Sequence, residues 1–205
     1  LLSTTFSCKN YNNENHYRNF AIVTAKYEAT KAGHKILKMG GNAFDAMIAT
    51  DLALSVVYPN AGNLGGGGFM VYRTSNSQYG SIDYREKAPL LSSENMYLDK
   101  NGNIIKNLSR EGSLSIGVPG TVAGLFEVYE KFGTLPLDSI FKPALELAKD
   151  GFKLTKKQAD LFNSSKSKIL INSDSLSLFN KDFKKDMIFS NDKLYKTLKY
   201  VLENG

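Results

Sequence analysis

One arginine and the glycines ahead of it carry the chemistry that can be read from this chain. Residues 60–89 read NAGNLGGGGFMVYRTSNSQYGSIDYREKAP. Arg85 ends the short alternation at 81–84, and its guanidinium offers five donors in a planar fork that fits a carboxylate bidentately. The four glycines at 65–68 lack a Cβ, so this loop is free to take positive φ and bring backbone N–H groups close to a neighbour. Phe69 to Tyr72 is β-branched and aromatic, which suits a strand. A glycine loop, a hairpin and a guanidinium at the strand exit together make a binding site for an anion. A glycine run also serves as a tight connection, and a strand-end arginine also serves as an ion-pair partner, so composition alone leaves both readings of Arg85 open.

Three longer pieces in order carry a resemblance: GGNAFDAMIATDLALSVVYPNAGNLGGGGFMVYR, then IDYREKAP, then GVPGTVAG. Together they resemble the amino-terminal half of the large subunit of the gamma-glutamyltransferases, from about residue 21 to about 155, with a weaker tail beyond. The resemblance implies an α/β (α+β) fold, a part of the four-layer αββα sandwich of the N-terminal nucleophile hydrolases. It implies that Arg85, in a DFRE-like motif with Tyr84 where phenylalanine is common, holds the substrate's α-carboxylate. It implies glutathione or another gamma-glutamyl small molecule as ligand. It also implies two protein partners: the remainder of the large subunit, and a small subunit bearing the nucleophilic threonine. That threonine works from a new amino terminus, with its own α-amine as base, beside oxyanion donors. Neither belongs to the motifs matched here, so no catalytic residue is expected in this chain, and 20–205 alone is expected to be inactive and incomplete as a domain. The pair Thr4-Thr5 precedes the large-subunit motifs and is followed by Phe6 instead of histidine, so it reads as coincidence.

Other classes fit less well. A nucleotide-binding loop would need Lys-Ser/Thr after its glycines and a helix rather than a strand. A truncated, non-catalytic remnant is the alternative to an enzyme part. Related acylases and depolymerases of poly-gamma-glutamate are the alternatives within the enzyme class.

The elements that must position the site follow from patterning. Residues 20–24 form a short apolar strand candidate. A helix is expected over 28–39, with Ala29, Ala32, Ile36 and Met39 on its buried face, His34 at the edge of that face, and Gly40-Gly41 as its stop. Asn42 caps a second helix, 43–57, apolar nearly all round and therefore buried, with a sheet expected on each side; Pro59 ends it. Asn101-Gly102 signals a type I′ hairpin between Leu98 and Ile104. Helices are expected over 121–132, with Val122, Leu125, Phe126 and Tyr129 inward, and over 140–149, closed by Gly151. Thr155 and Gln158 form a capping box, and a polar helical arm follows 164, with a helical face over 195–202.

The bulk properties suit one globular domain, or part of a larger one. The chain has 205 residues, 42% hydrophobic and 22% charged, with 26 basic against 20 acidic side chains. The basic excess is scattered lysine, which does not point to nucleic acid. One cysteine and two histidines make neither an internal disulfide nor a usual zinc site, and no metal or cofactor is expected. No apolar run reaches 18 residues, so no membrane span is expected. Residues 1–19 read as a polar leader or the stub of a signal peptide, with Cys8 as a free thiol or lipid attachment point; periplasmic or secreted export fits the resemblance.

Overall fold

The computed structural model describes residues 20–171 and 178–205. Thr4, Thr5 and Cys8 lie outside the described residues. The described elements are helices α1 (Tyr27–Lys38), α2 (Ala43–Val57), α3 (Thr121–Phe132), α4 (Leu137–Asp150), α5 (Lys156–Ile171) and α6 (Asp192–Asn204), and strands β1 (Phe69–Arg73), β2 (Tyr79–Asp83), β3 (Phe152–Lys153) and β4 (Ile188–Phe189). The strands form two antiparallel pairs, β1-β2 and β3-β4.

Helix α2 is the centre. Nine of its residues are buried, including Ala46, Ala49 and Ala53, whose small side chains let neighbours approach closely. It is surrounded mainly by helices, packing on α1, α3 and α4. The expected sheet on each side is therefore not what covers it. The β1-β2 hairpin meets its start, where Phe44 lies 5.7 Å from Tyr72 and stacks on Phe132 at 4.2 Å.

The start of α2 is fixed by polar contacts. Asn42 accepts from the N–H groups of Phe44 and Asp45, and Asp45 accepts from the N–H of Asn42, a reciprocal capping box. The Asp45 carboxylate, wholly buried, also accepts from the backbone N–H and the hydroxyl of Thr134. Asn42 Nδ2 donates to the carbonyl of Phe132. One cap thus ties the start of α2 to the end of α3.

Several expectations need correction. Residues 20–24 form no strand; Thr24 instead turns to accept from the N–H of Lys26 and donates to its carbonyl, just ahead of α1. Met39 is half exposed because α1 ends at Lys38 and Gly40, at φ +92°, turns the chain away. His34 is exposed, with its ring against Phe20 at 5.3 Å. The Asn101-Gly102 turn is not type I′, since only Gly102 has positive φ; the Asp99 carboxylate accepts from the N–H groups of Asn101 and Asn103 and holds the turn. Helix α3 is rotated from the expected face: Thr121, Gly124, Leu125 and Val128 are buried, and Val122, Phe126 and Tyr129 only partly. Helix α4 begins at Leu137, three residues early, and carries Pro143 inside it.

The carboxy-terminal part is held by Gln158. Thr155 and Gln158 form the expected box, and Gln158 Nε2 donates to the carbonyl of Val57 at the end of α2. Phe152, Phe162, Phe183 and Phe189 close a small aromatic cluster around β3-β4. No described helix is long and apolar enough to cross a membrane.

Candidate functional site

The hairpin register places the site. Phe69 pairs with Asp83, Met70 with Ile82, Val71 with Ser81 and Tyr72 with Gly80. Side chains alternate across a strand, so Met70, Tyr72 and Ile82 face the core while Phe69, Val71, Ser81 and Asp83 face outward. The ladder continues one rung past the strands, where Gly68 and Tyr84 exchange both backbone hydrogen bonds. Arg85 follows directly and is exposed.

The glycines do something other than take left-handed backbone. None of residues 65–68 has positive φ. Gly67 and Gly68 are needed for close approach: a Cβ on Gly67 would stand 2.7 Å from Arg85 Cα, and one on Gly68 2.7 Å from the Tyr84 ring. Gly66 contributes its carbonyl, which accepts from the N–H groups of Gly120 and Thr121. Asn63 Oδ1 accepts from the Thr121 hydroxyl at 2.6 Å. The glycine loop therefore clasps the Tyr84-Arg85 strand on one side and the first turn of α3 on the other.

Two further glycines complete the clasp. A Cβ on Gly120 would collide with the Tyr84 carbonyl, and one on Gly124 with the Tyr84 ring. Lys87 and Val118 exchange backbone hydrogen bonds, so the segment after Arg85 is zipped to the GVPG stretch. The sequence reading missed this role for Gly120 and Gly124. Their spacing of four, which puts both on one helix face, was the available signal.

Arg85 itself is held lightly. Among the described residues no ion pair involves its guanidinium, whose central carbon lies 5.6 Å from the centroid of the Phe69 ring. Asp83, the acid beside it on the outward face, accepts from the backbone N–H of Arg85 at 3.0 Å. Arg85 is therefore exposed at the end of the hairpin, beside the Gly68–Tyr84 rung. No group of three or more His, Cys, Asp or Glu able to hold a metal occurs among the described residues.

A second feature lies between the hairpin, α2 and residues 20–24. A cavity of about 700 Å³ is lined by residues 20–24, by Met47, Thr50, Asp51 and Leu54 of α2, and by Phe69, Met70 and Tyr84; Arg85 is not part of its wall. Burial pushes the Asp51 carboxyl above its ordinary value. Burial, and secondarily the charge of Asp51, push the Tyr84 phenol up as well. Asp51, the second acid of a mostly apolar helix and well past its capped first turn, was visible in the sequence and was not singled out.

Comparison with known proteins gives this geometry a family. Residues 29–205 match the gamma-glutamyltranspeptidase family profile. The chain is 45% identical over 171 residues to the glutathione hydrolase proenzyme of Pseudomonas sp. (strain A14), covering 80% of this chain and 30% of that protein. It is 42% identical over 188 residues to the glutathione hydrolase proenzyme of Escherichia coli (strain K12), covering 90% of this chain and 32% of that protein. Its structure superposes on the gamma-glutamyltranspeptidase of Helicobacter pylori with a TM-score of 0.84 at 37% identity, over 91% of this chain and 54% of that one. The chain spans about a third of the length of these curated relatives. Similarity at this level, across most of its residues, shows that the chain belongs to the gamma-glutamyltranspeptidase family.

Proposed function

We propose that this chain supplies one wall of a gamma-glutamyl binding pocket, in which Arg85 pairs with the substrate's α-carboxylate. The enzyme it serves cleaves gamma-glutamyl amide bonds and passes the acyl group to water or an amino acid. Glutathione is the leading substrate class, in keeping with relatives named glutathione hydrolase proenzymes. The observation that carries the reading is the Arg85 fork, exposed and free of any ion pair among the described residues, at the end of a hairpin clasped by glycines.

The nucleophile belongs elsewhere. The chemistry needs a threonine at a free amino terminus, and the resemblance assigns it to a partner small subunit. The core αββα sandwich is completed by that subunit and by the remainder of the large one, and residues 20–205 are the amino-terminal part of the large subunit. The assembled enzyme is exported, to the periplasm or beyond. The 205-residue chain alone should therefore release no product from a gamma-glutamyl anilide; nucleophile-dependent turnover by it would overturn this division of labour.

The test of Arg85 uses the complete enzyme carrying this segment. Lysine keeps the charge and loses the fork. Arg85→Lys should weaken substrate use by about tenfold to a hundredfold in kcat/KM, the size of a charge-assisted bidentate contact of roughly 1.5–3 kcal/mol. Arg85→Ala should cost at least as much. A 4-aminobutyryl anilide, which lacks the α-carboxylate, should be nearly indifferent to both. Equal penalties on the two substrates would make Arg85 structural.

A further inference from the structure

We propose that Phe69 is a positioning residue for Arg85: its ring is the platform that holds the guanidinium ready for a carboxylate. The inference rests on the carboxylate-binding reading of Arg85.

The placement follows from the register. Phe69 stands opposite Asp83 on the outward face, and Arg85 lies two residues beyond Asp83 on the same side. The guanidinium carbon accordingly reaches 5.6 Å from the ring centroid, within cation–π range. The base of the hairpin is fixed by the Gly68–Tyr84 rung and by the close approach of Gly67 to Arg85 Cα. Ring and guanidinium are therefore carried two rungs apart on one face of a hydrogen-bonded frame.

The kind of partner matters. An acidic neighbour would steady Arg85 by occupying the same in-plane N–H donors that a substrate carboxylate requires. An aromatic face attracts the cation through its π system and takes none of those donors. Asp83 shares the outward face with Arg85, and one of its oxygens is engaged by the backbone N–H of Arg85. The ring thus restricts the long arginine side chain before binding while leaving its fork unsatisfied. That reduces the ordering cost at the moment of association.

An exposed phenylalanine at a strand start also has a plainer use, as apolar surface for a neighbouring layer. The two uses separate experimentally. In the complete enzyme carrying this segment, Phe69→Leu keeps apolar bulk and removes the π face, whereas Phe69→Tyr keeps the face. Each variant is assayed on a gamma-glutamyl anilide and on its 4-aminobutyryl analogue, with Arg85→Lys alongside.

Phe69→Leu should raise KM for the gamma-glutamyl substrate about three- to tenfold with kcat little changed, and should leave the analogue unaffected. Phe69→Tyr should behave as the unaltered enzyme. An unchanged KM in Phe69→Leu, equal loss on both substrates, or a Phe69→Tyr as impaired as Phe69→Leu would each overturn the platform. Should Phe69→Leu fail to fold, Phe69→Met carries the same test. Selective loss in Arg85→Lys with no selective loss in Phe69→Leu sinks the platform alone. Equal loss on both substrates in Arg85→Lys sinks the reading of Arg85 beneath it.

Discussion

The Tyr84 ring lies against the bare α-carbon of Gly124, with no room for a Cβ between them. This contact sets how deeply α3 seats against the strand that delivers Arg85. Two effects oppose each other when Gly124 becomes alanine. Alanine favours the helix by about 1 kcal/mol. The added methyl must displace either a ring or a helix, and overpacking of this kind costs about 1–3 kcal/mol. Tyr84 has little freedom to move, since both its backbone groups pair with Gly68. The clash should win, so Gly124→Ala lowers the melting temperature by several degrees. Adding Tyr84→Ala to that variant should cost less than Tyr84→Ala alone. Additive losses in the double variant would show that the two residues are not coupled.

Asp45 should be among the most sensitive positions in the fold. Its carboxylate collects three donors, from the backbone N–H of Asn42 and from the backbone N–H and hydroxyl of Thr134. Asp45→Ala leaves those part-buried donors without their acceptor, empties the space of a wholly buried side chain and removes half of a capping box. We expect a loss of about 3 kcal/mol or more, read as a lower denaturation midpoint at unchanged slope. Thr134→Val, which removes a single donor, should lose only about 1 kcal/mol. A mild Asp45→Ala would mean that water replaces the carboxylate at this joint.

The parts of the fold legible in the sequence were those decided locally. Asn42 and Asp45 announce a cap, Thr155 and Gln158 announce a box, and the apolar run from Ala43 to Val57 announces burial. The hairpin was legible for the same reason, although β2 begins at Tyr79 rather than near Ser81. The misses came from contacts between distant segments. Nothing local says that residues 65–68 clasp Tyr84 and α3, so their glycines suggested left-handed backbone that the structure does not use. The face of α3 was misjudged because Gly124, which carries no hydrophobic signal, is buried under a tyrosine forty residues earlier in the chain. Arg85 was singled out by its motif, and its contact with Phe69, the basis of the platform proposed above, became visible only through the pairing register.

The outward face of the hairpin should govern how residues 1–205 behave when made alone. Phe69 is 64% exposed, Val71 85% and Tyr79 84%, all on one side of β1-β2. Three large apolar side chains exposed on one strand face, beside Arg73, Ser81 and Asp83, seek a second layer. We expect the isolated chain to self-associate, visible as a concentration-dependent elution volume and light-scattering mass. Replacing Val71 and Tyr79 by threonine should shift the population toward monomer without unfolding it. A monodisperse monomer that melts cooperatively above about 60 °C would contradict this expectation.

Asp51 should make stability depend on pH in the direction opposite to most acids. Burial beside the cavity raises its carboxyl in the folded state above the ordinary value, which the unfolded chain retains. The folded state then binds the extra proton. Between the two values the folded chain carries more protons than the unfolded one, so stability falls as pH rises. The favourable contribution is complete below about pH 4 and is lost as pH climbs through the raised folded value. Above that window the ionised carboxylate stands next to a largely apolar wall, and among the described residues no hydrogen bond or ion pair compensates it. Asp51→Asn removes the titration at nearly constant shape. The variant should therefore melt higher than the unaltered protein near neutral pH, and the difference should shrink toward about pH 4. Tyr84 offers a second readout, because the charge on Asp51 contributes to the upward push on its phenol. In Asp51→Asn the tyrosine absorbance titration should move to lower pH. A melting difference independent of pH, or an unmoved tyrosine titration, would show that Asp51 is not an uncompensated carboxylate in the folded protein.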